Sequence, residues 1–225
     1  MDWEAVGLSI RLAAWTSLLL FFIGIPIAYW LAVSRWRLAF LVEAVVALPL
    51  VLPPTVLGFY VLLVVSPRNP LGALYQDLTG KTLPFSFQGL LLASVLYSLP
   101  FAVQPFAAAF KGVDRHLVEA SWSLGVSRLA TFLRIILPLS RPGIVTGIVL
   151  SFAHTLGEFG VVLMVGGNLP GVTRTVSISI YDDVQALDYA SAGRTSLLLL
   201  GLSLVVLALT YGLQRRGRPS WPLSW

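Results

Sequence analysis

Two ionisable side chains, His154 and Glu158, lie within an apolar run of the sequence, residues 143–165. Their spacing of four residues places both on one face if the run forms a single helix. Ionisable groups inside a membrane are costly, so they usually face the interior of a helix bundle or a pathway through it. Two interpretations follow. Glu158 pairs with His154 or with an arginine of a neighbouring helix and shapes a gate, or both residues lock helices together by hydrogen bonds.

A second group of residues interrupts another apolar run, residues 38–65. Prolines break the backbone hydrogen-bond ladder, and a membrane tolerates this only where protein or a water-lined cavity satisfies the freed groups. The sequence therefore predicts either a pathway or a close packing contact at the break. The candidates are Pro53, Pro54, Thr55 and Gly58.

The sequence lacks a set of residues typical of an active site. It has no cysteine and two histidines, which excludes disulfides and thiolate metal sites and argues against a zinc site built on histidine. Neither a G-x-x-x-x-G-K-[ST] phosphate loop nor an H-E-x-x-H helix is present. We therefore expect a protein that is not an enzyme and binds no cofactor or metal of its own.

The longest stretch of dense charge runs from Lys111 to Pro142 and predicts two short helices joined at a glycine. Asp114 is a typical N-cap, and Gly125 is suited to the left-handed residue that ends the first helix. Ser127 is expected to cap a second helix that continues to Pro138. Three residues of the first helix recur at helical spacing on one face: Leu117, Ala120 and Leu124. We call residues 111–142 the elbow.

The composition of the 225 residues is typical of a membrane protein, with 57% hydrophobic residues, 11% charged residues and a mean hydropathy of +0.85. The apolar runs predict an all-α polytopic membrane protein with one transmembrane domain over residues 1–225. The five predicted spans are residues 12–33, 38–65, 89–110, 143–165 and 196–213, and the polar stretches between the later spans are the elbow and an external loop at residues 166–194. Residues 173–184 of that loop form an interfacial element whose type the pattern does not assign.

The basic residues predict the orientation of these spans, because cytoplasmic loops carry an excess of lysine and arginine. With the elbow in the cytoplasm, ten basic residues lie inside: Arg35, Arg37, Lys111, Arg115, Arg128, Arg134, Arg141, Arg215, Arg216 and Arg218. Five lie outside: Arg11, Arg68, Lys81, Arg174 and Arg194. The N-terminus is then external and the C-terminus cytoplasmic. Because the basic residues sit between apolar runs, they do not indicate nucleic-acid binding.

The elbow also carries a resemblance. Glu119-Ala120-Ser121, followed by Gly125 and then by Ile136-Leu137-Pro138, is similar to the E-A-A-x-x-x-G loop of ABC-transporter permease subunits. Ser121 stands where that family usually has alanine, a substitution that keeps the side chain small. The resemblance implies that the elbow docks into a groove of a cytoplasmic ATPase. Small residues allow close approach, and Glu119 can meet donors across the contact.

Further segments resemble the molybdate and tungstate permeases among bacterial ABC importers. They are Pro49-Leu-Val-Leu-Pro-Pro-Thr-Val-Leu-Gly58, Leu156-Gly-Glu-Phe-Gly160 and, in the external loop, Gly171-x-x-Arg174-Thr175. The resemblance implies a type I importer permease of the bacterial inner membrane that imports a tetrahedral oxyanion delivered by an external binding protein. ATP and Mg²⁺ would be bound by the partner ATPase. An ATPase dimer offers two grooves, so a second copy of this chain is also expected.

Several alternatives remain open from the sequence. Sulfate or thiosulfate permeases are the nearest relatives with which such a pattern can be confused. A phosphate or a tungstate-only system is a further alternative within the class, and molybdate is not separated from tungstate. Outside the class, a passive channel would not need the basic elbow, and a polytopic membrane enzyme would have to use His154 and Glu158 alone. A purely structural subunit is disfavoured by the proline-broken spans.

Overall fold

A computed structural model describes residues 1–216, apart from the side chains of residue 209 and residues 213–216. Arg218, counted among the cytoplasmic basic residues, lies outside the described residues. So do Trp221 and Trp225, aromatic tail residues of the type that favours the membrane interface. The described chain is α-helical, with one π-helical segment at Phe132–Ile136. Its α-helices are α1 Trp3–Val33, α2 Ala39–Val51, α3 Pro54–Val65, α4 Pro70–Thr79, α5 Phe87–Lys111, α6 Arg115–Ser123, α7 Arg128–Thr131, α8 Leu137–Leu139, α9 Arg141–Leu156, α10 Gly160–Gly166, α11 Val176–Gln185 and α12 Tyr189–Arg216.

Helix α1 begins well before the predicted span. Asp2 caps it by accepting a hydrogen bond from the Ala5 amide at 2.9 Å. Arg11, which the predicted span excluded, lies inside the helix with its guanidinium 4.4 Å from the centre of the Phe87 ring. That cation–π contact accommodates the charge next to α5, so the helix does not need to start after it.

Helices α1, α5 and α9 form the centre of the molecule. Their largest apolar cluster surrounds Phe106, which is fully buried, together with Leu20 on α1 and Ile144 on α9. Helix α5 is continuous through Pro100 and Pro105, although prolines within the predicted third span favour irregular points there. The packing of neighbouring helices around this segment explains why a helix can continue through prolines that would end it in isolation.

Three described helices are long and apolar enough to cross a membrane: Trp3–Val33, Phe87–Lys111 and Tyr189–Gly212. Up to five crossings result if each of two bent helix pairs counts as one. The first pair is α2 with α3, bent by 114°. The second joins residues 128–139 to α9 with a bend of 70°. The predicted second span is thus a broken one.

The predicted fourth span, residues 143–165, is also divided. It consists of α9 and α10, separated at residues 157–159, where Gly157 caps the end of α9. Two polar stretches contain helices that the pattern did not assign. Helix α4 lies in the polar stretch between the second and third predicted spans. Helix α11 covers most of the unassigned element at residues 173–184.

Candidate functional site

The elbow folds locally as its sequence predicts. Asp114 accepts a hydrogen bond from the His116 amide at 2.9 Å and caps α6. Gly125 has φ +79, the left-handed conformation that L side chains rarely adopt. Ser127 then accepts from the Ala130 amide at 3.3 Å and caps α7. Both predicted caps and the glycine turn are confirmed.

The second arm of the elbow contains a π-helical turn that the sequence did not predict. It spans Phe132–Ile136 and leads into α8, which contains Pro138. The amide of Leu137 bonds to the Phe132 carbonyl, five residues back. In a regular α-helix Pro138 would offer no amide hydrogen to the Arg134 carbonyl and its ring would clash with that carbonyl, so a wider turn before it relieves the clash.

One hydrogen bond holds the two arms of the elbow together. The hydroxyls of Ser121 and Thr131, both buried, lie 2.9 Å apart. The amide of Val126 also donates to the Ser121 carbonyl at 3.1 Å. Ser121, singled out as a small residue of the coupling motif, therefore faces inward and fixes the angle between the arms.

Helix α6 and the turn after it present an outward face, whereas Ile136 of the motif is buried. Leu124 is 83% exposed and Leu117 49% exposed, while Glu119 and Ala120 are also exposed. The guanidinium of Arg128 lies 5.8 Å from the Trp122 ring centre, next to this face. Apolar residues this exposed on a polar, charged segment form a surface that can bind a partner.

Aromatic packing connects the elbow to the helix bundle. Phe132 lies 4.7 Å from Tyr29 of α1 and 5.9 Å from Phe110 of α5, measured between ring centres. A movement of the elbow therefore bears directly on the ends of α1 and α5. From the sequence alone Glu43 is expected to pair with Arg35 or Arg37, at the same end of its helix, and that expectation was wrong. Glu43 pairs with Lys111 at 3.7 Å, because α2 packs against α5.

His154 and Glu158 do not share a helix face, contrary to the expectation. Helix α9 ends at Leu156, and Glu158 lies in the break before α10. The two residues do not pair with each other either. The hydroxyl of Ser94 donates to Glu158 Oε2 at 2.8 Å, and Ser98 is 2.9 Å from His154 Nδ1.

The break is thus joined to α5 by a line of polar contacts. The Ser98 hydroxyl is also 2.9 Å from that of Thr155, and the His154 ring stacks on Phe101 at 3.9 Å between centres. Glu158 is 3% exposed, and its Oε1 has no hydrogen-bond partner among the described residues. This geometry agrees with the alternative in which the two residues lock helices together. Serines at positions 94 and 98, one helical turn apart, were the signal the sequence offered for it.

The proline-broken segment packs against the same region. A Cβ atom on Gly58 would lie 2.7 Å from Met164 Cβ, and one on Gly160 would lie 2.8 Å from Pro54 Cβ. Glycine at both positions therefore permits the close approach of α3 and α10. Of the other candidates, Pro53 and Thr55 are exposed. The structure brings the two groups of pathway candidates, residues 53–58 and Glu158, onto neighbouring elements.

On the side opposite the elbow, Arg174 holds the loop before α11 in place. Its Nε donates to Asn168 Oδ1 at 2.7 Å, and its guanidinium pairs with Asp182 at 3.6 Å and Asp2 at 3.8 Å. Asn168 also donates to Asp182 at 2.7 Å. The sequence motif identified Arg174 but not its partners, which come from three separate segments.

Comparison with known proteins agrees with this architecture. Residues 24–218 match the family described as binding-protein-dependent transport system inner membrane component. The molybdenum transport system permease protein ModB of Azotobacter vinelandii is 52% identical over 191 residues, 85% of this chain and 84% of that protein. The protein of the same name in Escherichia coli K12 is 36% identical over 96% of this chain and 95% of its own. A probable sulfate transport system permease protein of Prototheca wickerhamii is 32% identical over 91% and 80%.

The fold is also found in solved structures. A chain of the MetNI methionine ABC transporter, crystallised in inward-facing conformations, superposes with a TM-score of 0.76 over 97% of both chains at 17% identity. At that identity the similarity establishes the fold alone, which this chain shares with a chain of an ABC transporter. Together with the family match and the curated relatives, it shows that this chain belongs to the family of inner-membrane components of binding-protein-dependent transport systems.

Proposed function

We propose that this chain is the membrane-spanning permease subunit of an ATP-driven importer of molybdate or the closely similar tungstate. The observation that carries the proposal is the 52% identity, over 85% of the chain, to a permease named for molybdenum transport. An external binding protein would select the oxyanion with high affinity. The permease then needs only to open its pathway alternately to the two sides of the membrane. The small number of charged residues in its spans is consistent with that role.

The elbow is the proposed docking element for a cytoplasmic ATPase dimer, which would bind ATP and Mg²⁺. Its outward face offers Leu117 and Leu124 as apolar contacts and Glu119 as an acceptor. Phe132 connects this face to α1 and α5. A shift of the docked ATPase would therefore move the ends of the helices that form the centre of the bundle.

The proposed assembly contains two copies of this chain in the bacterial inner membrane, one for each groove of the ATPase dimer. Each copy would cross the membrane five times, once for each apolar run of the sequence. The N-terminus would be external and the C-terminus cytoplasmic, as the distribution of basic residues favours.

Sulfate import is the second candidate, favoured by relatives named as sulfate permeases that are 32–33% identical. Molybdate is preferred because the identity to a molybdenum permease is higher. Sulfate and molybdate are both tetrahedral dianions, so the folds that transport them need not differ.

Uptake by the reconstituted importer separates the candidates. The permease, its ATPase and the binding protein are placed in vesicles, and labelled molybdate, tungstate and sulfate are offered separately. We expect ATP-dependent uptake of molybdate or tungstate and little uptake of sulfate. Sulfate uptake at a matching rate would favour the second candidate, and uptake without the ATPase would contradict the proposal altogether.

The docking role is tested by Glu119→Lys. The side chain is exposed, so reversing its charge should leave the fold intact while weakening docking of the ATPase. We expect co-purification of the ATPase and molybdate uptake to fall together. The matched control is Glu4→Lys, which reverses another exposed charge at the N-terminal end of α1, away from the elbow. It should change neither the co-purification nor the uptake. Wild-type uptake by Glu119→Lys would refute the role.

A further inference from the structure

The segment between α3 and α5 has an apolar face that no described residue covers. In α4 the exposed residues Leu71, Leu74 and Leu78 follow one another at helical spacing. The opposite side of this helix carries Gln76. Gly72 lets the helix lie close to the end of α3, because a Cβ atom at this position would collide with the Ser66 carbonyl. The helix is thus amphipathic, anchored at one edge and open along its leucine face.

An open groove lies between the two segments of chain that flank this helix in the sequence. It has a volume of about 390 Å³ and runs between the end of α3 and the chain that enters α5. Its walls are mostly apolar and include Leu62, Leu63, Pro67, Pro84 and Phe85. A groove of this size and character suits one or more acyl chains.

Two cations flank the groove. Arg68 follows the lining residue Pro67, and Lys81 precedes the lining residue Thr82. Both side chains are exposed, and among the described residues neither forms an ion pair with a carboxylate. Asp77 is the acidic residue of α4 and lies outside the leucine face, while Lys81 follows the helix after Gly80. The rim of an apolar groove is therefore positively charged.

We propose that α4 lies in the headgroup layer of the bilayer and that the groove binds an anionic phospholipid of the outer leaflet. The leucine face of α4 enters the acyl region, as in interfacial amphipathic helices. An acyl chain fills the groove, and the lipid phosphate is held between Arg68 and Lys81. The assignment of the lipid to the outer leaflet rests on the proposed orientation, with the N-terminus external and the elbow cytoplasmic. The lipid site itself does not depend on which oxyanion is imported.

Native mass spectrometry of the purified permease–ATPase complex tests the lipid site. The complex is delipidated and then offered phosphatidylglycerol or phosphatidylcholine. We expect selective retention of phosphatidylglycerol, reduced about fivefold for each of Arg68→Gln and Lys81→Gln. Arg194→Gln, which removes another exposed external cation, is the matched control and should retain the lipid. Equal retention of the two lipids would overturn the proposal. So would full retention of phosphatidylglycerol by a variant that carries both Arg68→Gln and Lys81→Gln.

The placement of α4 is tested separately by spin labels in nanodiscs. The chain has no cysteine, so single labels at Leu74→Cys and Gln76→Cys report without background. We expect the label at position 74 to be accessible to oxygen in the acyl region and the label at position 76 to a water-soluble relaxant. Equal water access at both positions would disprove the interfacial helix. A lipid-buried label nearer the inner leaflet would keep the lipid site and reject the orientation.

Discussion

Glu158 shows how one buried carboxylate depends on a distant residue. Its Oε2 accepts from Ser94, 64 positions earlier in the chain, while Oε1 lacks a partner among the described residues. A buried polar group that loses its last partner costs more than the hydrogen bond contributes in net terms. The side chain of Ser94 is therefore expected to matter more than its size suggests.

We predict that Ser94→Ala lowers the free energy of unfolding by about 1–3 kcal/mol, because Glu158 is left buried without a donor. Glu158→Gln should have a smaller effect, since its amide oxygen can still accept from Ser94. Thermal unfolding of the detergent-solubilised variants measures both. Ser196→Ala, at an exposed position of α12, is the control. A larger loss for Glu158→Gln than for Ser94→Ala would contradict this account.

At the scale of elements, the elbow and the α3–α10 contact illustrate two different origins of structure. The caps and the turn of the elbow follow from residues close in sequence, so they were predictable. The contact of α3 with α10 joins segments a hundred residues apart and depends on glycines whose importance a single sequence does not reveal. The breaks at Pro53 and Gly157 allow these two short helices to meet.

For the elbow, we predict that Gly125→Val costs about 1–2 kcal/mol of local stability, since a β-branched residue must adopt a left-handed conformation. The turn should open, and ATP-dependent uptake should fall while the protein still inserts into the membrane. Gly193→Val, in a helical position with open space around it, is the matched control. Uptake at the wild-type rate in Gly125→Val would show that the turn is not needed for coupling.

For the α3–α10 contact, we predict that Gly160→Ala destabilises the protein by about 1–3 kcal/mol, because the new methyl group meets the rigid ring of Pro54. Gly193→Ala adds the same atom in open space and should be neutral or slightly stabilising. Denaturant or thermal unfolding in detergent measures both. Equal stability of the two variants would mean that α3 and α10 separate at no cost.

At the scale of the whole molecule, the buried centre is small and much apolar surface is exposed. Helices α1, α5 and α9 enclose the main apolar cluster, whereas α12 is mostly exposed. Helices α2 and α3 also carry exposed apolar residues, such as Phe40 on α2 and Phe59 on α3. Lipid can cover such surfaces, and a second copy can cover part of them. The large exposed apolar surface is therefore the one expected of a chain that lies in a bilayer.

The proposed orientation predicts opposite labelling of two single cysteines. Ser123→Cys in the elbow should react with a membrane-impermeant maleimide only after the cytoplasmic side is opened. Gln185→Cys at the end of α11 should react in intact spheroplasts. Both positions are exposed, so burial does not limit the reaction. Labelling of both residues from the same side would reject the proposed topology.

The sequence by itself determined the class of protein, the elbow and its caps, because hydropathy, N-cap residues and a left-handed glycine act over a few neighbouring residues. Tertiary structure alone decided that Glu158 bonds to Ser94, that Glu43 pairs with Lys111, and that α9 ends before Glu158. Those contacts depend on how helices pack across the bundle. A periodic apolar pattern specifies that a helix is buried, but not which residue of another helix will meet it.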